Sequence, residues 1–306
     1  MPRFSGITII ENYLITRNSG PSHHTTAVTG IALMFAASVL GAVDAIIVRQ
    51  LASDIHPLLM VFTRSLFGLL FFLPWLLKHP QMLRSHYRFR HVLRATLKLV
   101  SLIAFFSAYA LSPLADVTAI AFTTPIFVTI GAWIFLAERP RAFRLLAVIC
   151  GFAGALIIIN PNQQSGAPLG LLLALSGAVL TAMIQLILKP MSAKDSTQTL
   201  LAWNLIITVP IAAIPALFYW ATPSGGQWAL LVLQGLVGLL AMGAVTRAFA
   251  LAEASLLVPL DFLRLPIVAV LAYLIFAQTV PLTTWLGGML IFAASLIMVV
   301  GLKPEQ

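Results

Sequence analysis

Residues 108–138 and 248–278 read as one pattern, 140 positions apart. Ala108, Ala110, Leu111, Phe122, Val128, Ala132 and Ala137 each fall on an identical residue, and Trp133 falls on Tyr273. At the same offset ICGFAGALIII (149–159) matches MLIFAASLIMV (289–299). Apolar bias inflates such a tally, so the order of the segments around the identities, which repeats too, carries more weight. Each half holds five apolar stretches. An odd number of crossings makes the second half enter a bilayer from the side opposite to the first. Halves related in this way place any shared site at their interface, near the membrane midplane.

The chain has the composition such a fold needs. Of its 306 residues 60% are hydrophobic and 9% charged, against about 25% charged in an ordinary soluble domain. Spans of about 20 residues are expected at 27–48, 57–77, 92–111, 115–136, 142–159, 168–188, 198–219, 227–250, 256–276 and 282–302. The fold class is therefore an all-α integral membrane protein of ten transmembrane helices in two inverted five-helix repeats. Residues 1–26 form a tail, 27–159 the first repeat, 160–167 (NPNQQSGA) a linker, 168–302 the second repeat and 303–306 a second tail. The tail at 1–26 lacks the continuous apolar core and cleavage site of a signal peptide.

The net charge of +9 would suit nucleic acid, but the placement of the basic residues answers to a membrane instead. Thirteen of the 18 lie in segments that share one side of a ten-span chain. They are Arg3, Arg17, Lys78, Arg84, Arg88, Arg90, Arg94, Arg139, Arg141, Arg144, Lys189, Lys194 and Lys303; the opposite loops hold Arg49. Lys and Arg collect on the cytoplasmic side, so both termini are expected there, with residues 160–167 outside.

Arg64, Lys98, Arg247 and Arg264 fall inside spans, as do Asp44, Asp116 and Asp261. A charge in hydrocarbon costs from about 2.5 kcal/mol upward, so such residues pair, line a wet cavity, or do both. Arg64 and Arg264 are the deepest, at mirrored depths in opposite halves. Asp44 is the expected partner of Arg64, and Asp261 pairs with Arg264 at a spacing that shares one helix face. Asp44 and Asp261 are also the acids that could load and release a proton. Arg247 is close enough to a span end to snorkel to headgroups. Tyr109, Gln185, Trp203 and Asn204 are candidates for stacking on or hydrogen-bonding a substrate. Pro125 and Pro266 each remove a backbone bond near mid-span and are candidate hinges. Ala147, Gly151 and Ala155 make a flat strip, suited either to packing within a monomer or to a homodimer face.

No catalytic constellation can be assembled. The six histidines lie in the tail, in loops or at span edges, the single Cys150 excludes a disulfide framework, and there is no phosphate-binding loop. No enzyme, metal site or cofactor is expected.

The stretches HPLLMVFTRSLFGLLFFLPWL (56–76), ALSPLADVTAIAFTTPIFVTIGAWIFLAERP (110–140) and VPLDFLRLPIVAVLAYLIF (258–276) resemble the EamA-type branch of the drug/metabolite transporter superfamily. The resemblance spans nearly the whole chain. It implies a central cavity lined by the first four helices of each repeat, with the fifth and tenth peripheral. Arg64, Lys98, Trp203, Arg247, Asp261 and Arg264 would then lie on cavity-forming helices. Gln278 stands where the first repeat has Glu138, so the usual acidic end of the ninth helix is lost. The implied function is a secondary carrier of a small polar metabolite in a bacterial inner membrane. Four in-span bases against three acids favour an anionic or carbonyl-rich substrate, with riboflavin the first expectation. An amino-acid or S-adenosylmethionine carrier is the alternative within the family, and a non-transporting scaffold or receptor the alternative outside it. Reporter fusions at Pro2 and Gln306 are expected to read cytoplasmic, and one within 160–167 exterior. A single terminus found outside overturns the ten-span topology.

Overall fold

Long apolar runs without capping competition make continuous helices, and six of them dominate the fold. The computed structural model describes residues 23–85, 87–136, 142–159, 168–191, 195–251, 257 and 260–300. Residues 1–22 of the expected first tail, the 303–306 tail and the 160–167 linker lie outside the described residues, while His23–Thr26, expected in the tail, already belong to the first helix. Helices α1 (His23–Leu51), α2 (Pro57–Lys78), α3 (Arg88–Leu111), α7 (Pro168–Met191), α8 (Thr197–Phe218) and α9 (Gly225–Leu251) contain stretches long and apolar enough to cross a membrane. The remaining helices are shorter: α4 (Leu114–Ala121), α5 (Thr124–Leu136), α6 (Ala142–Ile159), α10 (Arg264–Phe276) and α11 (Leu282–Val300). Among the described residues there is no strand. His56 caps α2, its Nδ1 accepting the Leu58 N–H at 3.3 Å. That role requires the neutral ring, and desolvation holds the His56 pKa below the ordinary histidine value.

The helices pair in a way that survives exchanging the halves. α1 packs on α9, and its counterpart α7 packs on α3. α2 packs on α8 and α6 on α11, pairs that the exchange maps onto themselves. The largest apolar cluster lies where α1, α2, α3, α8 and α9 meet, around Leu59, Met60, Leu99, Phe106 and Leu231.

The α6–α11 contact is set by glycine. A Cβ on Gly287 would stand 2.5 Å from the Gly154 carbonyl oxygen, and one on Gly154 would stand 2.6 Å from that of Gly287. The strip at Ala147, Gly151 and Ala155 is used within the chain, since a side chain at Gly151 would run into Ile126.

The fourth span is not one helix. α4 stops at Ala121, Phe122 and Thr123 form a turn, and α5 starts at Thr124. The Thr123 hydroxyl donates to the Ile120 carbonyl at 2.7 Å and the Thr124 hydroxyl to that of Ala121 at 2.8 Å, answering acceptors the break exposes. The ninth span repeats this: Asp261 is helical, Phe262 and Leu263 turn, and α10 begins at Arg264. Pro125 and Pro266 therefore sit in the first turn of a new helix, where the absent N–H removes no intrahelical bond. The sequence expectation of a lost mid-span bond gives way to an interrupted helix on each side. The two turns meet, Phe122 stacking on Phe262 with centroids 4.1 Å apart and planes 22° apart.

Gly287→Leu is expected to destabilise the protein by about 1–3 kcal/mol, because the obstacle is backbone and cannot move aside. Gly226→Ala, which meets nothing within 4 Å, serves as the neutral control. Melting temperature in detergent measures both.

Candidate functional site

Arg64 is brought to the interface of the halves by α2 and held there by absence on the facing helix. Gly238 of α9 has no side chain, and an added Cβ would lie 2.6 Å from the guanidinium carbon of Arg64. The guanidinium thus lies flat against α9. Its Nη2 reaches Asp44 Oδ2 of α1 at 3.4 Å, and both side chains keep some solvent contact, 19% and 16%. The Phe106 ring centroid lies 5.9 Å from its central carbon.

Arg264 repeats the arrangement from the other half. Its Cδ would be 3.0 Å from a Cβ on Gly41 of α1, and its Nη2 lies 3.9 Å from Asp261 Oδ2. Its guanidinium carbon sits 5.1 Å from the centroid of Phe122, so it borders the stacked pair of phenylalanines. Each deep arginine rests on a glycine of the opposite half, with an aspartate of its own half beside it.

A small cavity, partly open to solvent, lies between α2, α3, α8 and α9. Arg64, Ser65, Lys98, Asn204, Gly238 and Met242 are among its lining residues. Arg64, Lys98 and Asn204, singled out from the sequence, thus line the same cavity from three helices. The others do not line it. Tyr109 is wedged among apolar clusters of α1, α3 and α4, and Gln185 is exposed on α7. Arg247 is exposed near the end of α9.

Trp203 turns away from the cavity to seal one end of the bundle. Its indole N–H donates to the Leu83 carbonyl at 3.2 Å, and its ring stacks on His91 at 5.3 Å. His91 Nε2 lies 2.9 Å from Asp195 Oδ2, which also accepts from the Ser85 hydroxyl at 2.6 Å. His91 is fully buried and Asp195 nearly so. Arg94 donates to the Leu200 carbonyl. Arg94, counted on sequence with the basic residues between the second and third spans, is a buried residue of α3 whose guanidinium is met by a carbonyl. Ser85, His91 and Arg94 belong to the first half, Asp195, Leu200 and Trp203 to the second, so this network ties the halves together. The sequence does not announce it, because its two sides lie about 100 residues apart and Ser85, His91 and Asp195 each read alone as solvated loop groups. At the other end Arg49 donates to the carbonyls of Tyr109 and Ala110 at 3.1 and 2.7 Å. A cation at a helix C-terminus is favourable there, which accounts for a basic residue at this end of α1.

A family profile described as the EamA-like transporter family matches residues 28–160 and again 168–300. The riboflavin transporter of Rhizobium johnstonii is 34% identical over 75% of this chain and 76% of its own length. The S-adenosylmethionine uptake transporter of Rickettsia felis is 28% identical over 92% of this chain and 96% of its own. A crystal structure superposes with a TM-score of 0.62 at 16% identity, over 90% of this chain and 98% of the other, a likeness of fold alone.

Asp195→Ala should part the buried network and strand His91. The expected result is a lower melting temperature together with faster reaction of a cysteine placed at Asn204 with a water-soluble maleimide, in a Cys150→Ala background. Unchanged labelling would mean that the network does not guard the cavity.

Proposed function

The chain belongs to the EamA-like transporter family, and from that premise we propose that it carries riboflavin across a bacterial inner membrane by alternating access. The observation that carries this reading is the charge and chemistry of the cavity wall. Two cations, Arg64 and Lys98, line it beside the Asn204 amide, while its nearest acid, Asp44, is already engaged by Arg64. A guanidinium offers five N–H donors in a fixed fork, and the flavin ring offers carbonyl acceptors on a neutral pyrimidine edge. S-adenosylmethionine carries a sulfonium cation, which this wall repels. The Rhizobium johnstonii relative, named for riboflavin, supports the same choice.

In this mechanism the two halves rock about their interface and expose the cavity to each side in turn. The Ser85–His91–Asp195 network closes the cytoplasmic side, both termini being cytoplasmic as the basic residues require. The paired breaks at Phe122–Thr123 and Phe262–Leu263 give each half a joint where Arg264 borders the interface, with Pro125 and Pro266 starting the stiff segments beyond. Asp44 and Asp261, each beside an arginine and partly solvated, are the groups through which a proton could be coupled. A monomer is sufficient for this cycle.

Flux in proteoliposomes tests the proposal. Saturable riboflavin uptake is expected, with little transport of S-adenosylmethionine or amino acids. Gly238→Ala pushes only the mobile end of Arg64 aside, so it should fold normally yet raise the riboflavin concentration for half-maximal flux about tenfold. Arg64→Lys, which keeps the charge and loses the fork, should act in the same direction. Transport of S-adenosylmethionine without riboflavin would overturn the reading.

A further inference from the structure

One turn beyond the cavity, the helices that line it carry polar side chains that nothing in the fold employs. On α9, residues 234, 238 and 242 share one face at four-residue spacing; Gly238 and Met242 line the cavity, and Gln234 continues their row. Gln234 is fully buried, and neither its Oε1 nor its Nε2 has a hydrogen-bond partner. On α8 Asn204 lines the cavity, and Thr208 is the next residue of its row. Thr208 is 1% exposed, and its hydroxyl is unpartnered.

This is not what helix geometry imposes. A serine or threonine inside a helix can turn its hydroxyl onto the carbonyl one turn back, and neighbouring Thr63 and Ser65 do so at 2.9 and 2.8 Å. Asn204 Oδ1 and Arg64 Nε are likewise buried without partners. Buried polar groups left unpaired cost folding stability, and leucine would fill the Gln234 position at similar volume. Among the described residues, five of the nine buried side-chain atoms without a partner belong to α2, α8 and α9, next to the cavity.

Resting on the riboflavin reading above, we infer that Gln234 and Thr208 are the closed extension of the substrate site and read the hydrogen-bonding edge of a nitrogen heterocycle. A carboxamide presents one donor and one acceptor side by side. It pairs with any ring edge offering an adjacent acceptor and donor, as glutamine does with adenine. The imide of a flavin and the amino edge of an adenine share that chemistry, and Arg64 beside it supplies donors for a further carbonyl. The site opens to the ligand when α2, which packs on both α8 and α9, shifts against them by one helical turn.

The test uses the full chain, wild type and with Gln234→Leu or Thr208→Val. Binding is measured with two pairs of probes, lumichrome against its N3-methyl derivative and adenosine against N6,N6-dimethyladenosine. The first pair reports an imide edge, the second an aminopurine edge. Wild type is expected to prefer the unmethylated member of one pair. Gln234→Leu should keep or raise the melting temperature, weaken that probe roughly ten- to a hundredfold, and abolish the methyl discrimination. Thr208→Val should weaken it by less. A Gln234→Leu protein that is less stable but binds both members as wild type does would show a structural role and overturn the inference. Binding of neither pair by wild type overturns it as well. If wild type moves no riboflavin yet shows Gln234-dependent methyl discrimination, the riboflavin reading falls and the heterocycle subsite stands.

Discussion

Every backbone donor and acceptor placed in hydrocarbon must find a partner within the protein, and the rest of this architecture follows from that. It explains why the described residues are helical, and why the two places where a span is interrupted are packed against each other rather than against lipid. The Thr123 and Thr124 hydroxyls close over the carbonyls that the first break would strand. The second break is short enough for Leu263 to reach back to Leu260 at 3.1 Å and Leu265 to Phe262 at 3.0 Å. Among the described residues, these two breaks are where a span can adapt.

The same rule applied to side chains gives the charge pattern. Arg64 and Arg264 are each laid on a glycine and set beside an aspartate, an arrangement that holds a cation in a dry bundle without neutralising all of its donors. Asp116 is handled differently, accepting from Thr284 of α11 and so joining the fourth span to the tenth. Arg64 and Arg264 each keep an Nε without a partner, whereas Asp116 is used at a helix contact.

The spans, their number and the repeat were legible because an apolar run of membrane length has few other readings. The Arg64–Asp44 and Arg264–Asp261 pairs were legible for the same energetic reason, and Arg64, Lys98 and Asn204 do line one cavity. What the sequence hid depends on which way a helix faces. α9 is apolar all round, so nothing in its pattern distinguishes Gln234 from an ordinary interior residue. Trp203 was read as a stacking group for substrate, and its ring stacks on His91 instead, because the facing half decides where α8 points it. The proline positions marked the breaks, but proline is equally at home in a kink and at a helix start, so only the coordinates separate the two.

Phe122 and Phe262 occupy the same place in the repeat and touch one another. In an assembly of two separate five-helix subunits of one sequence, that contact would set a residue against its own copy, and any substitution would alter both faces at once. Joining the halves in a single chain lifts the constraint. Either ring can then be changed alone, and positions nearby can diverge, as Thr124 and Arg264 have on the far side of the two turns. A pocket on a two-fold axis would otherwise be obliged to be symmetric, and a flat heterocycle with a different group on each edge is not.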